Sequence, residues 1–182
     1  SLLRLFDDVL EVAYLDQTGD LPRCDVTALN GLCNDCVESV LPELHPGVSL
    51  LGELTPDDPV VRTNLKRIEQ VLLRLLRNAA KFTLSGHITL TYDCLPAERL
   101  LRFSVTDTGP GIPADLREEV FGRFVKLDPF SQGTGLGLPI CRLIAVKLGD
   151  PSVRRSGVCV RLPHDFRSAV RPVRNICLIR NP

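Results

Sequence analysis

Gly133-Thr-Gly-Leu-Gly-Leu138 is a glycine cluster that takes its meaning from three motifs upstream. Asp107-Thr-Gly-Pro-Gly-Ile112 begins 26 residues before it, and Asn78-Ala-Ala-Lys-Phe-Thr83 begins 29 residues before that. Phe121-Gly-Arg-Phe124 lies between the two glycine clusters. Gly133, Gly135 and Gly137 let backbone amides approach an anion with no Cβ in the way. A helix following such a loop adds its positive N-terminal end. The pattern suits a phosphate cradle. It is not the dinucleotide fingerprint, because the third glycine comes one position early and no strand precedes it. It is not a P-loop either, because the Lys-Ser/Thr pair is missing. A lone cluster of this kind reads equally well as a hinge. Four motifs in this order read as a nucleotide site assembled from separate pieces of chain.

Each partner motif has its own chemistry. Asp107 ends an apolar strand and precedes Gly109 and Gly111. A carboxylate there can accept a charge-assisted hydrogen bond from an exocyclic amine such as adenine N6, or it can fold an Asx-turn. Asp-Thr-Gly also occurs in aspartic proteases, but that chemistry pairs two aspartates, so one copy would require a homodimer. Asn78 is polar on an otherwise apolar helix. Its amide oxygen is a hard ligand suited to Mg²⁺, which takes few protein ligands and keeps several waters; the simpler role is helix capping. Lys81, one turn on, can meet a phosphate as a point charge. Phe121 and Phe124 can anchor the long loop in the core, while Arg123 and Lys126 can reach phosphates or stay solvated.

The remaining chain supplies a frame. Ile68, Val71, Leu72, Leu75, Leu76 and Ala79 recur at helical spacing and predict an amphipathic helix closed by Ser85-Gly86. Leu2, Leu3, Phe6, Val9, Leu10 and Ala13 predict an N-terminal helix ended by Thr18-Gly-Asp-Leu-Pro22. Thr27 to Leu44 reads as a helix broken near Pro42, and Pro139 to Leu148 as the last helix, with Pro in its first turn. Short strands are expected at 23–26, 48–54 and 60–63. His87 to Tyr92 and Leu100 to Val105 alternate with period two and predict an antiparallel hairpin. Residues 107–138 form a long loop rich in Gly and Pro with one helical patch at 114–121, and loops of this length are usually functional. The order of elements is α+β.

Composition sets outer limits. A chain of 182 residues suffices for one domain with a real core. The formal net charge of zero gives no electrostatic argument for nucleic acid. No apolar run approaches the ~20 residues that span a bilayer, and no signal peptide is visible, so no membrane contact is expected of this fragment. Seven cysteines, an odd number, fit a reducing, cytoplasmic compartment. Cys33-Asn-Asp-Cys36 lacks the second pair of a zinc site and reads as two small apolar residues on a helix face. The start at Ser1 and the absence of Met suggest a piece of a longer protein. The last 33 residues hold seven Arg, four Pro and no Lys; only 158–160 and 176–179 look strand-like there.

Together the four motifs resemble the ATP-binding catalytic domain of sensor histidine kinases, in the superfamily that includes gyrase, heat-shock chaperone and mismatch-repair ATPases. The likeness covers roughly residues 23–149. It implies the Bergerat fold: a two-layer α/β sandwich with a mixed, mainly antiparallel sheet, helices on one face, and ATP under a mobile lid. It implies that Asn78 holds Mg²⁺ and that Lys81 contacts phosphate. Asp107 would bind adenine N6, with Phe82, Gly109, Gly111 and Ile112 around that end of the pocket. Phe121 to Phe124 would anchor the lid, with Arg123 and Lys126 as its cations. Gly133, Thr134, Gly135, Leu136, Gly137 and Leu138 would wrap the triphosphate. Residues 1–20 would be the end of the dimerisation and phosphotransfer helix, 21–163 the ATP-binding domain, and 164–182 an Arg-rich tail. The implied partners are the phosphoacceptor-His helix bundle of the parent kinase, a response regulator of a bacterial two-component system, and a second copy through the N-terminal helix.

Four departures from that family stand out. The acceptor helix is absent, since His45, His87 and His164 lack the residues expected after an acceptor His. Arg74 lies four residues before Asn78, on the same helix face, where the family usually places Asn and its hydrolysing members a Glu base. A guanidinium cannot act as a base; it could hold a phosphate oxygen or point to solvent. Pro139 replaces the usual small residue. The closing hairpin after the last helix is shortened or missing. The reading is a kinase module that passes the ATP γ-phosphoryl to a His on a partner helix. The alternative, favoured by Arg74 and the tail, is a nucleotide-binding regulatory module without transfer.

Overall fold

The computed structural model describes residues 2–22, 25–95, 100–126, 133–148 and 159–161. The fold is organised around one helix, here α3 (Leu65–Phe82). The side chain of Asn64 caps it by accepting from the Arg67 N–H at 3.2 Å, which satisfies one of the donors a helix start leaves open. The predicted apolar stripe is its buried face: Ile68, Leu72, Leu75 and Leu76 have no exposed surface. Thr83 closes the helix, its N–H donating to the Ala79 carbonyl at 2.9 Å.

Beneath α3 lies the predicted hairpin, β4 (Gly86–Leu95) and β5 (Leu100–Asp107). Its antiparallel register runs from Ile88 opposite Asp107 to Leu95 opposite Leu100. Side chains alternate across a strand, so Ile88, Leu90 and Tyr92 of β4 and Leu101, Phe103 and Val105 of β5 bury one face of the sheet. β2 (Val48–Glu53) joins β4 in parallel, and β6 (Cys159–Arg161) joins β5 antiparallel. The order is β2-β4-β5-β6, a mixed and mainly antiparallel sheet. β1 (Asp25–Ala28) and β3 (Val60–Thr63) form a separate antiparallel ribbon. α2 (Leu29–Val40), α3 and α4 (Gly137–Lys147) form the helical layer against the sheet. Cys33 and Cys36 lie on the inner face of α2 with at most 1% exposure.

The broken helix stops at Val40, and Leu41–Glu43 continues as a 3₁₀ turn, because Pro42 cannot donate into an α-helical ladder. Among the described residues one short strand follows the last helix, β6, where 158–160 reads as strand-like; the stretch 176–179 and the tail lie outside the described residues. The predicted N-terminal helix is α1 (Leu2–Gln17). Its apolar stripe faces outward, with Leu2 82%, Leu3 76% and Phe6 61% exposed. The packed face is Asp8, Val12 and Leu15 instead. The end of α1 is tied to the end of α4: the Leu21 N–H donates to the Lys147 carbonyl at 2.9 Å, and Lys147 Nζ donates to the Thr18 carbonyl.

Candidate nucleotide site

The last turn of α3 touches both glycine clusters. A Cβ on Gly109 would lie 3.0 Å from the Phe82 carbonyl oxygen and 2.8 Å from Asp107 Oδ1. A Cβ on Gly133 would lie 3.5 Å from Lys81 Nζ. Two neighbouring residues of one helix thus meet clusters that are far apart in sequence, and only glycine leaves room for the first approach. Asp107 is buried at the end of β5, and its Oδ1 accepts from the Gly109 N–H at 2.9 Å. The Asx-turn is real, and it fixes the carboxylate in place. Lys81 Nζ sits 4.5 Å from the centroid of the Phe82 ring. Asn78 is half-buried within α3. The helix closes only at Thr83, so Asn78 is not a cap.

The second cluster is braced by the Phe121–Phe124 motif through backbone. The Phe124 N–H donates to the Gly135 carbonyl at 3.0 Å. Gly135 has φ +72°, and a Cβ there would lie 2.8 Å from the Phe124 Cα. Phe124 itself has φ 63° and is 61% exposed. It therefore does not anchor the loop in the core: the left-handed backbone that brings it to Gly135 leaves its ring outside. Val120 and half-buried Phe121 are the anchors, with the Arg142 guanidinium 5.7 Å from the Phe121 ring centroid. The expected helical patch is two 3₁₀ turns, Ala114–Leu116 and Glu119–Phe121. Residues 127–132 of the expected lid lie outside the described residues.

The other sequence candidates divide. Gly137 opens α4, which begins two residues earlier than predicted. Leu136 is a core residue at 1% exposure, and Leu138 packs against that core. The Ile112 carbonyl accepts from Arg117 Nε at 3.3 Å. Lys126 is exposed. Arg123 is committed to α1, donating to both carboxylate oxygens of Asp16. Arg74 does not point to open solvent; it is paired with a carboxylate, its Nη2 lying 2.7 Å from Asp8 Oδ1. Thr134 Oγ1 donates to the other oxygen of Asp8 at 2.6 Å. Sequence reasoning missed Asp8. The available signal was its place at helical spacing with Val12 and Leu15.

Burial pushes the Cys33, Cys36 and Cys141 thiols up to about 12. They are protonated at neutral pH and behave as apolar side chains. Among the described residues no cluster of three His, Cys, Asp or Glu side chains could hold a metal, and no helix is long and apolar enough to cross a membrane.

Comparison with known proteins gives the family. The family described as histidine kinase-, DNA gyrase B-, and HSP90-like ATPase matches residues 63–166. Adaptive-response sensory kinase SasA of Synechococcus sp. (strain JA-3-3Ab) is 32% identical over 143 residues, 77% of this chain and 38% of that protein. Sensor histidine kinase AruS of Pseudomonas aeruginosa is 34% identical over 161 residues, 82% of this chain and 16% of that protein. Full-length ShkA, solved in complex with AMPPNP, aligns with a TM-score of 0.75 at 33% identity, over 81% of this chain and 31% of that one. The catalytic domain of histidine kinase ThkA aligns with a TM-score of 0.56 at 33% identity, over 66% of this chain and 78% of that one. The fold and the family match define a Bergerat-fold ATPase domain. The chain belongs to the histidine kinase-, DNA gyrase B- and HSP90-like ATPase family, and these relatives are sensor histidine kinases. It spans well under half the length of the two sensory kinases.

Proposed function

We propose that this chain is the ATP-binding catalytic module of a two-component sensor histidine kinase, passing the γ-phosphoryl of ATP to a histidine on a partner helix. The observation that carries this reading is the reach of the α3 terminus, with Phe82 against Gly109 and Lys81 against Gly133. One short turn of helix can then address both ends of a nucleotide. In this reading Asp107 accepts from adenine N6, with Gly109, Gly111 and Ile112 around the base. Lys81 and the backbone amides of 133–138 hold the phosphates, and Lys126 is a lid cation.

The donor set fits Mg²⁺. Asn78 offers a neutral hard oxygen on the same helix as Lys81, and a triphosphate supplies the charged oxygens that Mg²⁺ prefers. When bound, Mg²⁺ offsets the phosphate charge. The chain itself contributes positioning and charge neutralisation. The partner imidazole nitrogen attacks the γ-phosphorus, the bond to the β-phosphate oxygen breaks, and ADP leaves.

We assign 21–163 to the nucleotide domain, 1–20 to the end of a dimerisation and phosphotransfer helix, and 164–182 to an appended tail. The outward apolar stripe of α1 supports this assignment, because such a face suits a helix bundle shared with a second copy. A response regulator would then take the phosphoryl group. The test is incubation with labelled ATP and a phosphoacceptor helix bundle supplied in trans. Acid-labile label on the bundle histidine is the expected result. Bound ATP with no transfer to any acceptor bundle would instead favour a nucleotide-sensing module.

A further inference from the structure

The N-terminal helix reaches the glycine loop through one carboxylate. Asp8 is 8% exposed, and its two oxygens take different partners. Arg74 Nη2 donates to Oδ1 at 2.7 Å, and Thr134 Oγ1 donates to Oδ2 at 2.6 Å. Thr134 Oγ1 also accepts from the Leu136 N–H at 3.2 Å. Arg74 stands one turn before Asn78 on α3, and Thr134 stands between Gly133 and Gly135. A second tie holds the lid: Arg123 Nη2 donates to the Asp16 oxygens at 2.9 and 2.7 Å. Docked α1 therefore grips α3, the lid anchor and the glycine loop at once.

We propose that Asp8 is an electrostatic latch: docked α1 places its carboxylate at the phosphate cradle, withholds the Thr134 hydroxyl and the Arg74 guanidinium from nucleotide phosphates, and lowers affinity for ATP until α1 leaves. The proposal rests on the nucleotide reading above. A largely buried carboxylate is screened by salt far less than a surface one. It therefore opposes nucleotides in proportion to their charge. Removing it leaves Arg74 beside the cradle in need of an anionic partner, and a phosphate oxygen meets that need. The coupling must be reciprocal: whatever docked α1 does to ATP affinity, ATP does to α1 docking. The position of the N-terminal helix, which continues toward the partner bundle in the reading above, thereby sets nucleotide affinity without touching the adenine end.

The test uses the full 182-residue chain and its Asp8→Asn variant, titrated by calorimetry with adenosine, ADP and ATP in the presence of Mg²⁺. The latch gives Asp8→Asn roughly tenfold tighter ATP binding, a smaller gain for ADP, and no change for adenosine. A merely structural role for Asp8 moves all three ligands alike, so a common shift overturns the proposal. Equal ATP affinity in variant and wild type overturns it too. A second measurement needs no variant. Hydrogen exchange on the wild type should show residues 8–17 exchanging faster with ATP bound, and slower exchange there contradicts the latch even if Asp8→Asn fails to fold. Binding of no adenine nucleotide by either protein removes the nucleotide reading itself, and the latch with it.

Discussion

Gly135→Ala is the most informative single substitution in the cradle. Gly135 holds φ +72°, and an added Cβ would lie 2.8 Å from both Cα and C of Phe124 and 3.1 Å from the Val125 carbonyl oxygen. All of these are backbone atoms, so no side chain can swing aside. The left-handed conformation costs an alanine about 1–2 kcal/mol, and forced overpacking adds about 1–3 kcal/mol. Together they take about 2–5 kcal/mol from a domain whose whole stability is on the order of 5–15 kcal/mol. The cost has two exits. If the loop stays closed, the loss appears as global stability. If the loop swings off Phe124, global stability is spared and residues 122–126 and 133–138 exchange faster. Along the second exit the displaced cradle also weakens ATP binding, by roughly tenfold for each ~1.4 kcal/mol of lost contact. Gly137→Ala is the control: its added Cβ meets nothing within 4 Å, it opens α4, and it should hold or raise stability by up to about 1 kcal/mol. Urea denaturation with hydrogen exchange reads both exits. A wild-type midpoint together with wild-type exchange in Gly135→Ala would refute the backbone contact between the lid anchor and the cradle.

Two further outcomes follow from buried groups. Tyr92 is 2% exposed; its hydroxyl donates to Asn30 Oδ1 at 2.5 Å and accepts from Thr55 Oγ1 at 3.2 Å. Tyr92→Phe should lower unfolding free energy by about 1–3 kcal/mol in urea titration, and a loss under about 0.5 kcal/mol would contradict that network. Burial first, then the neighbouring Cys36 and Asp58, raises the Cys33 thiol from an ordinary 9.0 to about 12; Cys36 and Cys141 reach about 12 with burial again the main cause. The folded state keeps these protons longer than the unfolded chain, so their contribution is complete below about pH 9 and is lost as pH rises toward 12. Replacing all three by alanine should flatten the fall of the urea midpoint over that range in reducing buffer; parallel curves for the two proteins would count against it.

What was legible in the sequence was what is local. The stripe from Ile68 to Ala79 and the alternation of His87–Tyr92 and Leu100–Val105 encode burial directly, and α3, β4 and β5 follow them. The parallel pairing of β2 with β4 has no such signature, because periodicity fixes a face and not a neighbour. α1 shows the same limit in another form. Its apolar stripe was plain, but amphipathicity does not say which face this domain uses, and the domain uses Asp8, Val12 and Leu15. Asp8 meets Arg74 and Thr134 across 66 and 126 residues, a separation no local pattern reports. Arg74 was read as facing phosphate or solvent because nothing local to its own helix names Asp8 as its partner. Close approach or a left-handed φ explains glycine at 109, 111, 133 and 135, but Gly137 has neither need. Phe124 read poorly, because its backbone conformation outweighs its hydrophobicity.

The central claim is that Asp107 and the two glycine clusters form one adenine-nucleotide site. Asp107→Asn tests it most directly, because an asparagine keeps an oxygen for the Gly109 N–H that Oδ1 now accepts at 2.9 Å. The turn survives while the second oxygen becomes a donor opposed to adenine's amine. Losing that charge-assisted bond costs about 1.5–3 kcal/mol, or roughly tenfold to a hundredfold in affinity. Calorimetry of ATP and ADP on wild type and Asp107→Asn should show that loss for both nucleotides. Tight binding by wild type with unchanged affinity in Asp107→Asn would contradict the placement of adenine at Asp107.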